Sequence, residues 1–388
     1  MKKILIVCRS YYPNIGGGGE YSTKTLAEML LGIGYKVEVL TIYNEDVVNE
    51  ISGVKITRIK FKNIYWSMHK GKGTFNKILW HLIDSNNLFL KKTLAHKIEE
   101  INPDVLISST IEDVSSIIWK VAKEKGIRSV HIIRSYSLMC VNANMFKDDN
   151  CINQCSSCKI MTLSKKKNSN YVDDVVGISR FVLEKHIQYG YFPNARKHII
   201  YNSCIEDVLD KRKYDGFLDC NFKIGFLGRI HKTKGIECLI QSVNNIPENL
   251  RRCITILVAG DGDENYIEEL KKLCSSMQFK YEFLGNLPAS KFLDMLDVLV
   301  VPSQWNEPFG RVIAESMGRK VPVIGSAVGG IPELLSFNKD FLFSTDQELT
   351  DILIKYFERK LSFNFNLERF MDESISKNWI GLLDEMEL

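Results

Sequence analysis

No run of eighteen apolar residues occurs in the 388-residue chain, so the sequence offers no membrane-spanning helix. Internal repeats and low-complexity tracts are missing too, apart from Lys165-Lys166-Lys167, read as a solvated loop. The start, MKKILIVCRSYYP, holds only five apolar residues before Arg9. That is too short for a secretory leader core and reads as a first buried strand. No P-loop is present, because the Gly16 to Gly19 run is not closed by Lys-Ser or Lys-Thr. The spacing G-x-G-x-x-G is lacking as well, which speaks against a nicotinamide oxidoreductase. Ten cysteines without a leader indicate a reducing compartment, and the expected location is cytoplasmic.

What is present suits a globular protein of two domains. The length exceeds a usual single core, and 45% apolar and 25% charged residues are ordinary. The net charge of +4 hides an asymmetry. Residues 1–205 carry 29 Lys and Arg against 18 Asp and Glu, and residues 206–388 carry 22 against 29. A basic first half hints at an anionic surface or acceptor beside it; drift of surface charge is the alternative. KILIVC, YKVEVLTI, DVLISS, SVHIIR and DVVGIS read as strands of one parallel sheet. FKIGFLGRI, CITILVAG, YEFLG, DVLVVPS and PVIGS read as strands of a second. Helical stretches between them, such as Ser22 to Leu31 and Val114 to Lys125, predict doubly wound α/β domains. The polar segment Asp207 to Asn221 reads as the linker, and a last helix from about Ser374 contains Trp379.

Residues 301–335, VPSQWNEPFGRVIAESMGRKVPVIGSAVGGIPELL, read as strand, loop, helix, strand, glycine turn, helix. Pro308 pushes Glu307 into an extended conformation, so Glu307 sits in the loop. Gly310 and Arg311 then open a helix with Glu315 on its early turns. On one helix the two carboxylates would point about 80° apart; in a loop-then-helix arrangement they can converge on one ligand. The free N–H groups of the helix start suit a phosphate or sugar oxygen. An ordinary amphipathic helix with solvated glutamates is the competing reading.

Upstream, IGFLGRIHKTKGIECLI places Arg229 and Lys234 between a strand and a helix. A planar fork and a mobile point charge at this spacing can clamp a diphosphate. In LVAGDGDE, Gly260 and Gly262 allow close backbone approach. FLGNLP places Leu287 in the next strand-end loop. Near the start, YYPNIGGGGEYSTKTLAEMLL can present N–H groups at a helix start. Four cysteines, Cys140, Cys151, Cys155 and Cys158, are closely spaced, the last three as C-x3-C-x2-C. In a cytosolic chain such spacing suits a structural zinc held by thiolates; reduced thiols packed in a loop are the alternative. Cys8, Cys204, Cys220, Cys238, Cys253 and Cys274 fit as small buried apolar residues.

In order, and over almost the entire chain, these segments resemble the retaining, nucleotide-sugar-dependent glycosyltransferases of family 4, also grouped as glycosyltransferase group 1. The resemblance implies a GT-B fold: α/β, two Rossmann-like doubly wound domains facing a central cleft. Residues 1–206 would form the acceptor domain, joined by a crossover helix at about 374–388, and residues 207–373 the donor domain. PSQWNEPFGRVIAESM and VGGIPE match the donor site, and GR-x4-KG matches the pair that neutralises the donor pyrophosphate. Arg229 and Lys234 would then stabilise the leaving diphosphate. Glu307, beside Pro308, Phe309 and Gly310, would bind sugar hydroxyls, and Glu315 the ribose. Gly260 would line the nucleotide side, and Leu287 would touch the base edge through its backbone. The glycine loop resembles PP-x-x-GG-x-E, which puts Gly17 and Gly18 against the donor phosphates and Glu20 on the acceptor side.

One departure concerns SVHIIRSYSLMC. Aligned on Cys140, the family's His-Asp-Tyr becomes Arg134-Ser135-Tyr136, so Arg134 stands where an active-site histidine is usual. Arg134 cannot act as a base at neutral pH; it could hold a sugar hydroxyl, the leaving phosphate or an acidic acceptor. His131 would point elsewhere, and Tyr136 would lie on the acceptor side. No cofactor or catalytic metal is expected, and no nucleic acid. The implied partners are a nucleotide-diphosphate sugar and a glycan or lipid-linked acceptor of cell-surface polysaccharide biosynthesis. An anionic membrane surface is a further candidate partner, through Lys62, Lys70, Lys72, Lys77, Lys91 and Lys92 interleaved with Tyr65, Trp66, Phe75 and Trp80. Core aromatics with solvated lysines are the alternative there. A sugar-nucleotide epimerase or hydrolase on the same fold and a non-catalytic sugar-nucleotide-binding subunit are the rival readings.

Overall fold

Strands covered on both faces read as unbroken apolar runs, and that is how the central strands of this protein read. The computed structural model describes residues 2–14, 17–69, 73–204 and 220–387. Gly16, Lys70, Lys72 and most of the expected linker, residues 207–219, lie outside the described residues. The strands are β1 (Lys3–Cys8), β2 (Lys36–Tyr43), β3 (Val47–Ile51), β4 (Val54–Lys60), β5 (Val105–Ser109), β6 (Arg128–Ile133), β7 (Phe146–Lys147), β8 (Asp149–Asn150), β9 (Asp174–Gly177), β10 (Arg196–Ile199), β11 (Phe222–Leu227), β12 (Ile254–Ala259), β13 (Lys280–Phe283), β14 (Val298–Val301), β15 (Val323–Ser326) and β16 (Leu342–Phe343). The helices are α1 (Gly18–Ile33), α2 (Thr74–Ser85), α3 (Leu88–Ile101), α4 (Ile117–Glu124), α5 (Ser156–Asn168), α6 (Arg180–Gln188), α7 (Ile236–Asn244), α8 (Glu248–Arg251), α9 (Glu264–Ser275), α10 (Ala289–Leu293), α11 (Arg311–Gly318), α12 (Ile331–Leu334), α13 (Asp346–Phe357) and α14 (Asp372–Asp384).

The chain divides into two compact units. The first comprises Met1–Met145, Cys151–Ser203 and Asp372–Leu388; the second comprises Phe146–Asn150 and Cys204–Met371. In the first, eight strands run in the order β10-β9-β6-β5-β1-β2-β4-β3, all parallel except β3, which pairs antiparallel with β4. In the second, six parallel strands run β13-β12-β11-β14-β15-β16. Each sheet therefore has a switch point where the chain reverses its direction of travel: β1/β5 in the first and β11/β14 in the second. α14 packs on α1 within the first unit, and its Trp379 is buried.

Some sequence expectations need correcting. VVNEI and VKITRIK form a hairpin at the sheet edge, and RKHI adds the far strand. β3 and β10 are short, partly exposed strands at the two sheet edges, and in β4 Lys55, Arg58 and Lys60 interrupt the apolar run, which hid all three. α4 starts at Ile117 rather than near Val114, since Asp113 and Ser115 hold left-handed φ of 66° and 77°. Cys220 and Cys253 are not separate apolar residues: they stand at the starts of β11 and β12, 4.6 Å apart at Cα, and form a disulfide. Cys8, Cys204, Cys238 and Cys274 are buried, as expected of small apolar residues. Among the described residues, no helix is long and apolar enough to cross a membrane.

Beyond β5 lies a buried polar network. Asp84 Oδ1 accepts from the Asp113 N–H at 2.7 Å, and Lys165 Nζ pairs with Asp84 Oδ2 at 3.1 Å. Asp113 in turn accepts from the Ser67 N–H at 3.1 Å and from the Ser67 hydroxyl. Burial, reinforced by Asp84, pushes the Asp113 carboxyl up from 3.8 to about 7. A carboxylate whose folded pKa exceeds its unfolded value binds its proton more tightly in the native state. Its contribution therefore favours folding at low pH and is lost as pH rises from about 4 to 7. Asp113→Asn should remove that slope. Tm measured against pH should fall more steeply in the wild type than in the variant across this window; parallel curves would show that Asp113 is not raised.

Candidate functional site

In open parallel sheets ligands lie at the carboxyl ends of the strands, at the switch point. In the second unit four strand-end turns meet there. After β11, Gly228 and Ile230 run against the turn after β12, with Ile230 N–H donating to Asp261 O at 2.7 Å. Gly260 N–H donates to Gly285 O at 2.9 Å, which attaches the loop carrying the half-buried Leu287. Gly260 has φ 137°, and a Cβ there would stand 1.9 Å from Gly228 O, so the close approach it permits is to the neighbouring turn.

The fourth turn follows β14. Glu307 Oε2 collects three donors: Lys234 Nζ at 2.6 Å, Trp305 Nε1 at 3.1 Å and Ser303 Oγ at 3.3 Å. Lys234 also lies over the Trp305 ring, 5.3 Å from its centroid. Lys234 comes from the turn after β11 and Glu307 from the turn after β14, so the pair spans the switch point. Arg229 is exposed. His231 has its pKa lowered by burial first, then by Arg229 and Lys234, which marks a locally positive field. Gly310 caps α11 with φ 95°, and Arg311 pairs with Glu315 at 3.0 Å along the helix. Pro308 and Phe309 are buried; the Phe309 ring meets Phe370 edge-on at 6.2 Å. The Phe309 side chain therefore packs in the core.

One support of this loop escaped the sequence reading. Asn150, at the end of the β7–β8 hairpin, donates to Gln304 O and accepts from Asn306 N–H, both at 2.7 Å. Nothing local in the sequence signals that clamp. Gly330 N–H donates to Glu307 O at 2.7 Å. A Cβ on Gly329 (φ 60°) would stand 2.3 Å from Glu307 O and 2.4 Å from Glu307 N. This is the glycine turn of VGGIPE.

In the first unit Gly17 precedes α1 and Gly18 opens it. Glu20 is buried and accepts from Arg9 Nε at 2.9 Å. Arg134 Nε donates to Ser109 Oγ at 2.8 Å, and its guanidinium also reaches the Asn202 side chain. Its Cδ would be 3.8 Å from a Cβ on Gly19, so Arg134 does lie beside the glycine loop. Tyr136 was expected on the acceptor side; it is buried, with its ring stacked on His186 at 6.2 Å. His131 points into the core as expected, bonded to Ser108 at 2.9 Å, and burial pushes it down to about 3. Cys140 and Cys158 are buried, Cys151 is half-buried, and Cys155 is exposed at the start of α5. The Cys155 thiol is pushed down to about 7 by hydrogen bonds from Ser157 and Cys158. Among the described residues no group of three or more His, Cys, Asp or Glu is placed to hold a metal ion.

The fold is the GT-B class of glycosyltransferases. HepE from Anabaena, solved in complex with UDP, superposes with a TM-score of 0.72 at 18% identity, covering 99% of this chain and 100% of HepE. HepE has also been solved with UDP-glucose. Sucrose-phosphate synthase from Thermosynechococcus elongatus superposes with a TM-score of 0.71 at 17% identity, covering 100% of this chain and 99% of that one. By sequence, the profile of the glycosyl transferases group 1 family matches residues 210–369. A 42.6 kDa protein in the cps region of Klebsiella pneumoniae is 33% identical over 349 residues, 88% of this chain and 90% of that protein. The chain belongs to the glycosyl transferases group 1 family.

Gly329→Ala should strain the loop that carries Glu307. The loss should exceed about 1 kcal/mol, because φ is positive and the backbone stands in the way. Gly381→Ala in α14, where a Cβ meets nothing within 4 Å, should leave Tm unchanged or raise it. Thermal melts of both variants check this; equal melting temperatures would mean that the 329 turn relaxes freely.

Proposed function

We propose that the chain is a retaining glycosyltransferase of family 4 that moves a sugar from a nucleotide-diphosphate sugar to a glycan or lipid-linked acceptor in cell-surface polysaccharide assembly. The observation that carries this reading is the Lys234–Glu307 pair at the β11/β14 switch point, with Arg229 exposed beside it. Arg229 and Lys234 would neutralise the donor diphosphate and carry its growing charge as the anomeric C–O bond breaks. The acceptor oxygen would bond to the same face of the anomeric carbon, with its proton passing to the departing phosphate oxygen. Glu307 Oε2 is occupied by its three donors, and Oε1 would accept from sugar hydroxyls. The start of α11 would meet a phosphate or sugar oxygen. Glu315, on the next turn, would take the ribose hydroxyls. The solved HepE complexes with UDP and UDP-glucose favour a uridine donor, and the cps-region relative favours a capsule-type product.

Two measurements test the donor reading. Glu315→Ala should weaken UDP binding by about 1.5–3 kcal/mol, the usual worth of hydrogen bonds to a charged group. Calorimetry on the folded variant checks it, and unchanged affinity removes Glu315 from the site. Arg229→Ala should lower turnover roughly 10²-fold, as for other lost leaving-group electrostatics. It is a cleaner variant than Lys234→Ala, which would also strip Glu307 of its ion pair. A protein that binds UDP-sugars yet neither transfers nor hydrolyses them would be a binding subunit instead.

A peripheral membrane position is part of this proposal. Phe75, Ile78, Leu79 and Leu82 form an i, i+3, i+4, i+7 stripe on α2 that is exposed, continued by exposed Leu88 and Phe89 on α3. Lys77, Lys91 and Lys92 lie on the same two helices. The expected aromatics divide: Phe75 is 75% exposed, whereas Trp66 and Trp80 are buried, packed on Tyr43 and Tyr65. Such a stripe with lysines suits an anionic bilayer, where each cation adds about 1 kcal/mol. Flotation should recover the protein with phosphatidylglycerol vesicles but not with phosphatidylcholine alone. Phe75→Glu and added salt should each reduce recovery. No flotation with either lipid would assign the stripe another role.

A further inference from the structure

The first sheet has its own switch point, and the ligand that belongs there has a chemistry written in the charges around it. β1 and β5 lie side by side, with Arg9 N–H donating to Thr110 O at 2.8 Å just beyond them. A cavity of about 380 Å³ opens at these strand ends, bordered by Arg9 after β1, Glu112 after β5 and Ser137 after β6. That volume falls within the roughly 300–1,000 Å³ of small-molecule sites. Tyr65 and Trp80, stacked at 6.0 Å with 25° between their planes, contribute to its wall, as does Thr162 of α5. A ring pair beside hydroxyl groups suits a ligand with both C–H faces and polar edges.

The charges narrow the choice. Four carboxylates, Glu20, Asp84, Glu112 and Asp113, face two buried or half-buried cations, Arg9 and Lys165. Glu20 holds Arg9 at 2.9 Å, and Asp84 holds Lys165 at 3.1 Å. Asp113 takes its donors from Ser67. Burial pushes His81 down to about 4, so it adds no cation at neutral pH. Lys77 is exposed, where solvent and salt screen it. Glu112 feels the charge of Arg9 without a hydrogen bond from it: its Oε2 is buried and has no hydrogen-bond donor. An unsatisfied buried acceptor is destabilising, and a hydroxyl donor on a ligand would satisfy it. Because Asp113, pushed up to about 7, is only partly charged at neutral pH, Glu20, Asp84 and Glu112 against Arg9 and Lys165 leave a surplus of one negative charge, which would repel an anionic ligand.

We infer that this cavity binds a neutral, hydroxyl-rich sugar unit, with Glu112 Oε2 accepting from one of its hydroxyls and the ring lying against Tyr65 and Trp80. The assignment of that sugar as part of the acceptor rests on the glycosyltransferase reading above. It also reverses what the basic first half of the sequence suggested, an acidic acceptor.

The test is saturation-transfer NMR on the full chain with methyl glycosides of glucose, galactose, mannose and N-acetylglucosamine, and with methyl glucuronide as the anionic comparator. At least one neutral glycoside should bind at millimolar concentration, and the glucuronide should not. Glu112→Gln keeps the shape but leaves a weaker acceptor, and should lower the affinity at least tenfold. Should that variant fold poorly, Asn142→Trp, at an exposed lining position, should block entry and abolish the signal. No binding by any neutral glycoside, preference for the glucuronide, or affinity unchanged in both variants would overturn the proposal. A parallel UDP titration separates the two readings: failure of UDP to raise the wild-type Tm would defeat the donor reading, while the glycoside result still judges the cavity.

Discussion

The geometry of the second unit's site depends on one constraint, the point at which a parallel sheet changes direction. Between β11 and β14 neighbouring strands come from separate halves of the second unit's chain, and their end turns diverge from a common line. Lys234 and Glu307 are 73 residues apart, and the 2.6 Å contact between them exists only because those two strands are neighbours. Everything else at the site serves that meeting. Gly260 lets the adjacent turn close, Gly329 lets the second glycine turn lie under Glu307, and Trp305 and Ser303 hold the carboxylate in place. A lysine and a glutamate at this distance in water would contribute little. Half-buried, and sharing an indole N–H and a hydroxyl, they form a fixed polar group.

Local charge at the two switch points runs against the charge of the sequence that supplies them. The second half of the chain is acidic, yet Arg229, Lys232 and Lys234 gather around His231 and add to the burial that lowers its pKa. The first half is basic, yet carboxylates outnumber cations around the β1/β5 cavity. Net charge is a sum over surface residues, most of them screened, and steers encounter at long range. What a site recognises is set by the few charges that burial leaves unscreened. The lysines of the first half lie largely on helix surfaces, as Lys91 and Lys97 do in pairs with Glu124 and Glu100.

Much of the fold and of the second unit's site is legible in the sequence, for a physical reason. Buried parallel strands need continuous apolar runs, and loops that turn back on one another need glycine, so β11, β12, β14 and β15 and their turns announce themselves. The edge strands β3 and β10, short and partly exposed, do not. Side-chain direction is less legible still. Tyr136 and Phe309 stand in motifs that read as ligand-binding, yet their rings are buried in the core. The pairing of Cys220 with Cys253 needed the adjacency of β11 and β12, which spacing alone does not reveal.

Asn150 shows the limit most clearly. It lies between β6 and β9 of the first sheet, in a five-residue segment that belongs to the second unit. Its one amide grips the backbone on both sides of Trp305, some 150 residues further on, immediately before Glu307. An amide satisfies a carbonyl and an N–H at once, so no charged or apolar side chain could replace it there. The loop that carries Glu307 is thus held from its own turn by glycine and from a distant hairpin by asparagine. Only the first of these leaves a signature that can be read along the chain.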